Sequence, residues 1–341
     1  MGRITKALKI RLDSFGSFLG MEKGCIILRD KKGGTTRYPL FEEEIGEVIL
    51  QSGNMVSTGV LSALGFWQVD VLVTTRNGNP IAMLKNLEDD SHVKTRISQY
   101  ESLKDGRGFY IAKQFLIGKI EGQNMLLNKY GLQTYPSTAS GVMRGFGEDD
   151  FKGLRKRLTN VEGHATEKYF GQIFGLFPES IRPRKRRGWR AYDGLNNTFN
   201  FAYSILFWKC YRALVKAHLE PYLGYLHSLR WGRPSLVCDF QELYRHLVDG
   251  FLIEYCKNLE LRDFKAKTEM FNNKKGRRIY LKKSREFEES LHGYFMKTVR
   301  VPRIKRGNNQ EIETLINEEA LLLAKYLRKE RDAWKPRIAV P

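Results

Sequence analysis

The sequence predicts an α+β protein: a β-rich N-terminal domain over residues 1–90, then a larger, mostly α-helical domain over residues 91–341. Three observations carry this. The apolar pattern changes near residue 90, from short β-branched runs between turn residues to apolar positions at helical spacing. The charge changes at the same place. Of 58 Lys+Arg and 38 Asp+Glu, residues 1–90 hold 11 of each, so the whole net charge of +20 lies in residues 91–341. Finally, 341 residues exceed the length at which one core stops growing, about 250–300 residues, while 42% hydrophobic and 28% charged residues make a globular composition.

Each element has a local cause. Cys25–Leu28, Val48–Gln51 and Val69–Val73 are short apolar runs bounded by Lys32-Gly33-Gly34, Ser52-Gly53-Asn54 and Arg76-Asn77-Gly78-Asn79-Pro80, so they read as strands. Asn77-Gly78 between Val71–Thr75 and Ile81–Leu84 marks a hairpin, because a type I′ turn needs positive φ at both central residues. A helix is expected near Ser57–Leu64. From Val93 to about Tyr130, Ile97, Tyr100, Ile111, Phe115, Ile120 and Leu126 recur at helical spacing, and Asp105-Gly106-Arg107-Gly108 separates two helices. Further helices are expected at about 150–174, 195–218, 235–258, 284–297 and 309–332, with one short strand at Arg278–Lys282.

Several function classes are excluded. No apolar run approaches the roughly 18–20 residues that span a bilayer, so a transmembrane protein is excluded, and with no strongly amphipathic basic helix in view an anionic membrane surface is the weaker partner for the charge. The start, Met1-Gly2-Arg3-Ile4-Thr5-Lys6, lacks the apolar stretch of a secretory signal. Cys25, Cys210, Cys238 and Cys256 lie far apart with no C-x-x-C, which argues against a disulfide scaffold or a thiolate zinc site. A reducing cytoplasm is the expected compartment. There is no P-loop, no dinucleotide fingerprint after a strand, no G-x-S-x-G and no H-E-x-x-H.

The concentrated positive charge points to a polyanion, nucleic acid above all, because Lys and Arg that hold phosphates release condensed counterions. A solubility surface is the other reading. The run Arg182-Pro183-Arg184-Lys185-Arg186-Arg187-Gly188-Trp189-Arg190 carries six basic residues and an indole. Arg184, Arg186 and Arg187 are candidate phosphate contacts with one aromatic platform beside them. A flexible solvated loop fits the same composition.

One stretch combines chemistry-bearing residues: Gly224-Tyr225-Leu226-His227, a Gly/Pro turn through Arg230-Trp231-Gly232-Arg233-Pro234, then Asp239-Phe240-Gln241-Glu242. Asp239 and Glu242, three apart, would share one helix face. An imidazole with carboxylates suits Mn²⁺ or Mg²⁺, and such an ion would polarise a phosphodiester. Spacing alone leaves open a helix start with Asp239 as a cap or surface residue and His227 in the core. His164 and Glu167, at i and i+3, form a weaker pair of a kind that is more often a solvated face than a metal site.

At these residues the chain resembles the CRISPR-associated integrases of spacer acquisition, the Cas "one" family. The resemblance runs in order through Glu162-Gly163, the Asn-bearing segment Asp193-Gly194-Leu195-Asn196-Asn197, Gly224-Tyr225-Leu226-His227 and Asp239-Phe240-Gln241-Glu242-Leu243-Tyr244-Arg245. Gly53-Asn54 with Val56-Ser57-Thr58 joins it in the β-rich part. Tyr225 replaces the usual Phe, His246 stands where Pro is common, and Gly122 where a polar residue is more usual.

The resemblance implies a metal-dependent DNA endonuclease and integrase. Glu162, His227 and Glu242 would hold Mn²⁺ or Mg²⁺, and Asp239 would complete the catalytic set. Arg245 would contact phosphate or form a salt bridge within the domain. Asn196 would bond DNA or a helix end, and Tyr203 would lie near the site or in the core. The implied chemistry is attack of a 3′-hydroxyl on a repeat phosphodiester, with water as the nucleophile in the nuclease reaction. The implied partners are double-stranded and branched DNA, a second copy of the chain in a homodimer formed by the β-rich domains, and the small Cas "two" protein. A non-catalytic nucleic-acid-binding protein is the competing reading, and a basic interaction scaffold a third.

Overall fold

The computed structural model describes residues 8–39, 45–67, 69–75, 80–84, 91–135, 151–188, 191–228, 230–271, 274–302 and 309–341. The chain divides into two compact units, Met1–Asp90 and Ser91–Pro341.

The first unit contains β1 (Leu8–Leu12), β2 (Phe18–Glu22), β3 (Cys25–Arg29), β4 (Thr35–Pro39), β5 (Ile45–Gln51), β6 (Met55–Val56), α1 (Thr58–Phe66), β7 (Asp70–Thr74) and β8 (Pro80–Leu84). They form two four-stranded sheets, ordered β1-β5-β7-β8 and β4-β3-β2-β6. The β1, β5 and β7 strands are parallel, and β8 runs antiparallel to β7. That is the pairing the Asn77-Gly78 signal requires, although residues 76–79 lie outside the described residues. Central β5, flanked by parallel β1 and β7, buries Ile45, Val48 and Leu50. Ile10, Leu19, Ile26, Val48, Leu50 and Val71 meet Val60 and Leu64 of α1 in the core. Ser57 caps α1 by accepting the Val60 N–H at 3.2 Å.

Two turns explain local sequence. Lys23 (φ 49°) and Gly24 (φ 75°) make the two-residue β2–β3 connection, with both φ positive as such hairpins require. Gly53 (φ 100°) turns the chain so that Asn54 can donate to Leu12 O at 2.8 Å and accept from Ser17 N at 3.1 Å. One side chain thus ties the end of β1 to the start of β2.

The second unit contains α2 (Ser91–Glu101), α3 (Arg107–Lys129), α4 (Phe151–Ile173), α5 (Gly194–Lys216), α6 (Ser235–Gln241), α7 (Arg245–Cys256), β9 (Phe264–Phe271), β10 (Lys274–Leu281), α8 (Ser284–Phe295), β11 (Thr298–Arg300), β12 (Asn309–Glu311) and α9 (Ile312–Leu327). Gly106 (φ 81°) breaks α2 from α3, as its composition predicts. The long helices α3 and α5 are buried along much of their length and organise one core that includes Phe115, Tyr169, Phe199, Phe240 and Tyr244. The C-terminal segment closes that core. Trp334 is buried against Phe115 (ring centroids 5.1 Å apart), and its Nε1 donates to Glu319 at 2.9 Å.

The structure corrects the sequence reading in three places, the briefest being that β11 and β12 form an unexpected pair and the helix expected from 309 starts at Ile312. The helix expected over 235–258 is broken. Glu242, Leu243 and Tyr244 bond three residues back, in a tighter turn, before α7 begins. No Gly or Pro lies between Leu236 and Arg245 to cause this; instead Leu243 seats on Gly118 of α3, where an added Cβ would come within 2.6 Å of its Cδ2. The single strand expected at Arg278–Lys282 is one half of the β9–β10 hairpin, which docks on the start of α5 through Asn197 Nδ2 to Ile279 O at 2.8 Å.

Two departures from the family pattern are one packing event. His246 lies against Gly122, where any Cβ would fall 2.4 Å from its Nδ1. Its Nε2 donates to Ala339 O at 2.8 Å, and burial pushes its pKa down to about 4. Among the described residues no helix is long and apolar enough to cross a membrane.

Candidate active site

The segment carrying His227 is clamped from three sides. Gln99 of α2 donates to Glu220 O (3.1 Å) and Leu223 O (3.3 Å) and accepts from Glu220 N (2.8 Å). Arg155 of α4 donates to Tyr225 O at 2.7 Å and Gly224 O at 2.8 Å. Asp239 of α6, fully buried, accepts the backbone N–H groups of Tyr225 (2.6 Å), Leu226 (2.9 Å) and His227 (2.8 Å). Gly224 is obligatory, because an added Cβ would lie 2.6 Å from Ser235 Cβ. The Tyr225 hydroxyl, the atom that distinguishes it from Phe, meets Ser102 Oγ at 2.8 Å.

The same carboxylate fixes the imidazole. His227 Nδ1 lies 2.6 Å from Asp239 Oδ1, which leaves Nε2 as the nitrogen available to a ligand. Asp239 and Glu242 therefore do not act as a pair on one face. The tight turn after α6 sends Glu242 to other partners.

Glu242, 4% exposed at its side chain, accepts Arg245 Nη1 at 2.6 Å and pairs with Lys119 Nζ of α3 at 2.8 Å. Glu162 of α4 pairs with the same Lys119 Nζ and accepts from Thr166 Oγ1 at 3.1 Å. Two carboxylates, one from α4 and one from the turn between α6 and α7, thus converge on one buried ammonium. Burial alone would raise the Glu242 pKa, but Arg245 and Lys119 hold it down to about 2. Burial likewise opposes the charge on Lys119, and Glu242 and Glu162 overcome it, raising its pKa.

Beneath this pair lies a second network. The Tyr203 ring is flanked by Arg245 (4.8 Å) and Arg186 (5.2 Å). Asp249 accepts the hydroxyls of Tyr203 (2.5 Å) and Tyr169 (2.6 Å). Burial pushes the Asp249 pKa up to about 6, against the hydrogen bonds from Tyr169 and Tyr203.

The basic run divides. Arg184 and Arg187 are exposed, whereas Arg186 turns inward over Phe170, Phe199 and Tyr203 and donates to Asn200 Oδ1 at 2.7 Å. Arg245 makes the salt bridge within the domain. Asn196, fully buried, holds the run: it accepts Arg187 N at 2.9 Å and donates to Lys185 O at 3.0 Å and to Asp193, the α5 cap, at 2.9 Å. Trp189, the expected platform, lies outside the described residues, while His164 and Glu167 are exposed on α4.

Lys119 and Asp249 were not singled out from sequence. Lys119 carries a legible signal, since it stands four residues after Phe115, in line with Ile111, on an apolar stripe. A lysine there must find a buried counter-charge. Asp249 sits likewise between apolar neighbours on α7.

The family model for the CRISPR associated protein Cas1 matches residues 10–286. The chain belongs to the Cas1 family. Among its Cas1 relatives, the CRISPR-associated endonuclease Cas1 1 of Archaeoglobus fulgidus is 30% identical over 263 residues, covering 71% of this chain and 75% of its own. The CRISPR-associated endonuclease Cas1 2 of Pyrobaculum aerophilum is 29% identical over 256 residues, covering 74% and 84%. In fold, a casposase bound to its integration product superposes with a TM-score of 0.73 at 19% identity, over 96% of this chain and 92% of that one. A Cas1 protein from Thermotoga maritima gives 0.68 at 18% identity, over 94% and 97%.

Two carboxylates that converge on positive charge, with His227 Nε2 left for a ligand, are donors of the chemistry that a hard divalent cation takes. Among the described residues, however, no three His, Cys, Asp or Glu side chains are close enough to hold a metal ion together. The Lys119 ammonium lies between the two glutamates.

Proposed function

We propose that this Cas1-family chain is a metal-dependent DNA endonuclease and integrase that inserts spacers into a CRISPR array, by 3′-hydroxyl attack on a repeat phosphodiester. The observation that carries this is the meeting of Glu162, from α4, and Glu242, from the α6–α7 turn, on one cationic position in the basic unit. Its relatives' name, endonuclease, and the integration product bound to a casposase of the same fold support it.

Mn²⁺ or Mg²⁺ would be held by Glu162, His227 and Glu242. When bound, it would stabilise negative charge on the scissile phosphate and on the attacking or leaving 3′-oxygen. The chain's own residues do the rest. Asp239 fixes the His227 ring so that Nε2, not Nδ1, is the ligand atom. Arg245 keeps Glu242 ionised in a buried position. Arg184 and Arg187, exposed on the run that Asn196 secures, reach phosphates flanking the scissile one.

Double-stranded and branched DNA are the substrates. The neutral first unit exposes Phe15, Met55, Phe66 and Ile81, which suits a homodimer contact. A Cas6-RT-Cas1–Cas2 complex shares the fold at a TM-score of 0.69 over 97% of this chain, which supports a small second Cas protein as partner.

Strand transfer and nicking on branched DNA, with Mn²⁺ and then EDTA, tests the reading. Activity is expected with Mn²⁺, and its loss with EDTA, Glu162→Gln or His227→Ala, while His164→Ala remains active. Activity that survives both site variants overturns the assignment. One observation favours the competing, non-catalytic reading: the Lys119 ammonium already stands between the two glutamates, and Arg245 pairs with Glu242 as well. DNA binding with no metal-dependent cleavage would support that reading.

A further inference from the structure

Trp231 stands apart from every other described aromatic of the helical unit. Between His227 and α6 the chain makes a tight turn in which Arg230 and Arg233 pair as an antiparallel bridge. Arg233 N donates to Arg230 O at 3.1 Å, and Gly232 takes the left-handed corner at φ 68°. Trp231 at the tip is 104% exposed. A tryptophan buried in a core removes about 150–250 Å² from water; here none of it is removed.

The turn is anchored. Ser235 Oγ donates to Ser228 O at 2.9 Å, and Leu236 N donates to Pro221 O at 2.9 Å. Both donors open α6, the helix that carries Asp239, whose carboxylate fixes His227. The indole is therefore held out on a turn rooted at both ends in the residues that build the candidate active site, with exposed Arg230 beside it.

We infer that Trp231 is a stacking platform for an unpaired nucleobase of the bound DNA, with Arg230 on the adjoining phosphate. This rests on the DNA reading above. An aromatic face stacks on any base, and a neighbouring guanidinium adds backbone attraction. Bases within a continuous duplex have both faces covered, so the platform selects forked or branched DNA over uninterrupted duplex.

The test titrates the full chain, Trp231→Ala and Trp231→Phe with a forked duplex bearing unpaired arms, and with a covalently closed circular duplex. Trp231→Ala is expected to weaken fork binding roughly fivefold or more. It leaves the circle within about twofold, and Trp231→Phe recovers most of the loss. The salt dependence stays the same in all three, since no phosphate contact is removed. Wild-type fork affinity in Trp231→Ala, or equal losses on fork and circle, overturns the inference. If Trp231→Ala binds DNA normally but no longer self-associates, the tip is a protein contact and the inference also falls. A wild-type chain that binds neither DNA overturns the DNA reading and this inference together.

Discussion

Lys119 and Asp249 show how single residues decide this site. Replacing Lys119 by Met leaves Glu162 and Glu242 facing each other without their shared cation. Breaking a buried pair of this kind costs about 3 kcal/mol or more. Urea unfolding of Lys119→Met without metal is expected to show that loss, and saturating Mn²⁺ to restore part of it. Unchanged metal-free stability would mean that the ammonium does not hold the carboxylates. Asp249 titrates in the opposite sense to Glu242. Its folded pKa of about 6 lies above the ordinary 3.8, so the folded state holds the proton more tightly. That stabilisation is present below about pH 4 and is lost as the pH rises through about 6. The wild type should therefore lose stability relative to Asp249→Asn over this window, as read by urea midpoints. A constant difference between the two proteins would show that Asp249 does not titrate there.

The elements differ in how far their local sequence accounts for them. Ser57, Gly106 and Asp193 each stand at the start of a helix, and these signals are legible because capping and positive φ are local chemistry. The break between α6 and α7 is not legible, because no Gly or Pro marks it and Leu243 within it packs on Gly118 of another helix. That break separates Asp239 from Glu242, so pattern alone misplaces their partnership. The basic run is an element of the same kind. Its composition fits a loose loop, yet Asn196 fastens it from inside α5. Asn196→Ala leaves Lys185 O and Arg187 N without those partners, at a cost of about 1–3 kcal/mol. Limited trypsin digestion should then cut between residues 184 and 187 several-fold faster than in the wild type. Equal cutting rates would show that the loop is held by other means.

Across the whole molecule, charge and fold divide at the same point, with the +20 in the helical unit. DNA affinity should fall linearly with the logarithm of salt concentration, and Arg184→Ala and Arg187→Ala should each reduce the slope by about 1. A slope unchanged in both variants would place the phosphates elsewhere. The sequence by itself determined the α+β class, the change at residue 90 and the Glu, His and Asp side chains from which the candidate site is built, because periodicity, charge and side-chain type are properties of the chain read in order. The tertiary structure alone decided that Asp239 serves His227 and that Glu242 joins Glu162 on Lys119. It also decided that Arg186 and Arg245 turn inward around Tyr203. Those pairings span 43 to 123 residues between Lys119, Glu162 and Glu242, and only the packing of α3, α4 and the α6–α7 turn into one core brings such distant charges close enough to choose among partners.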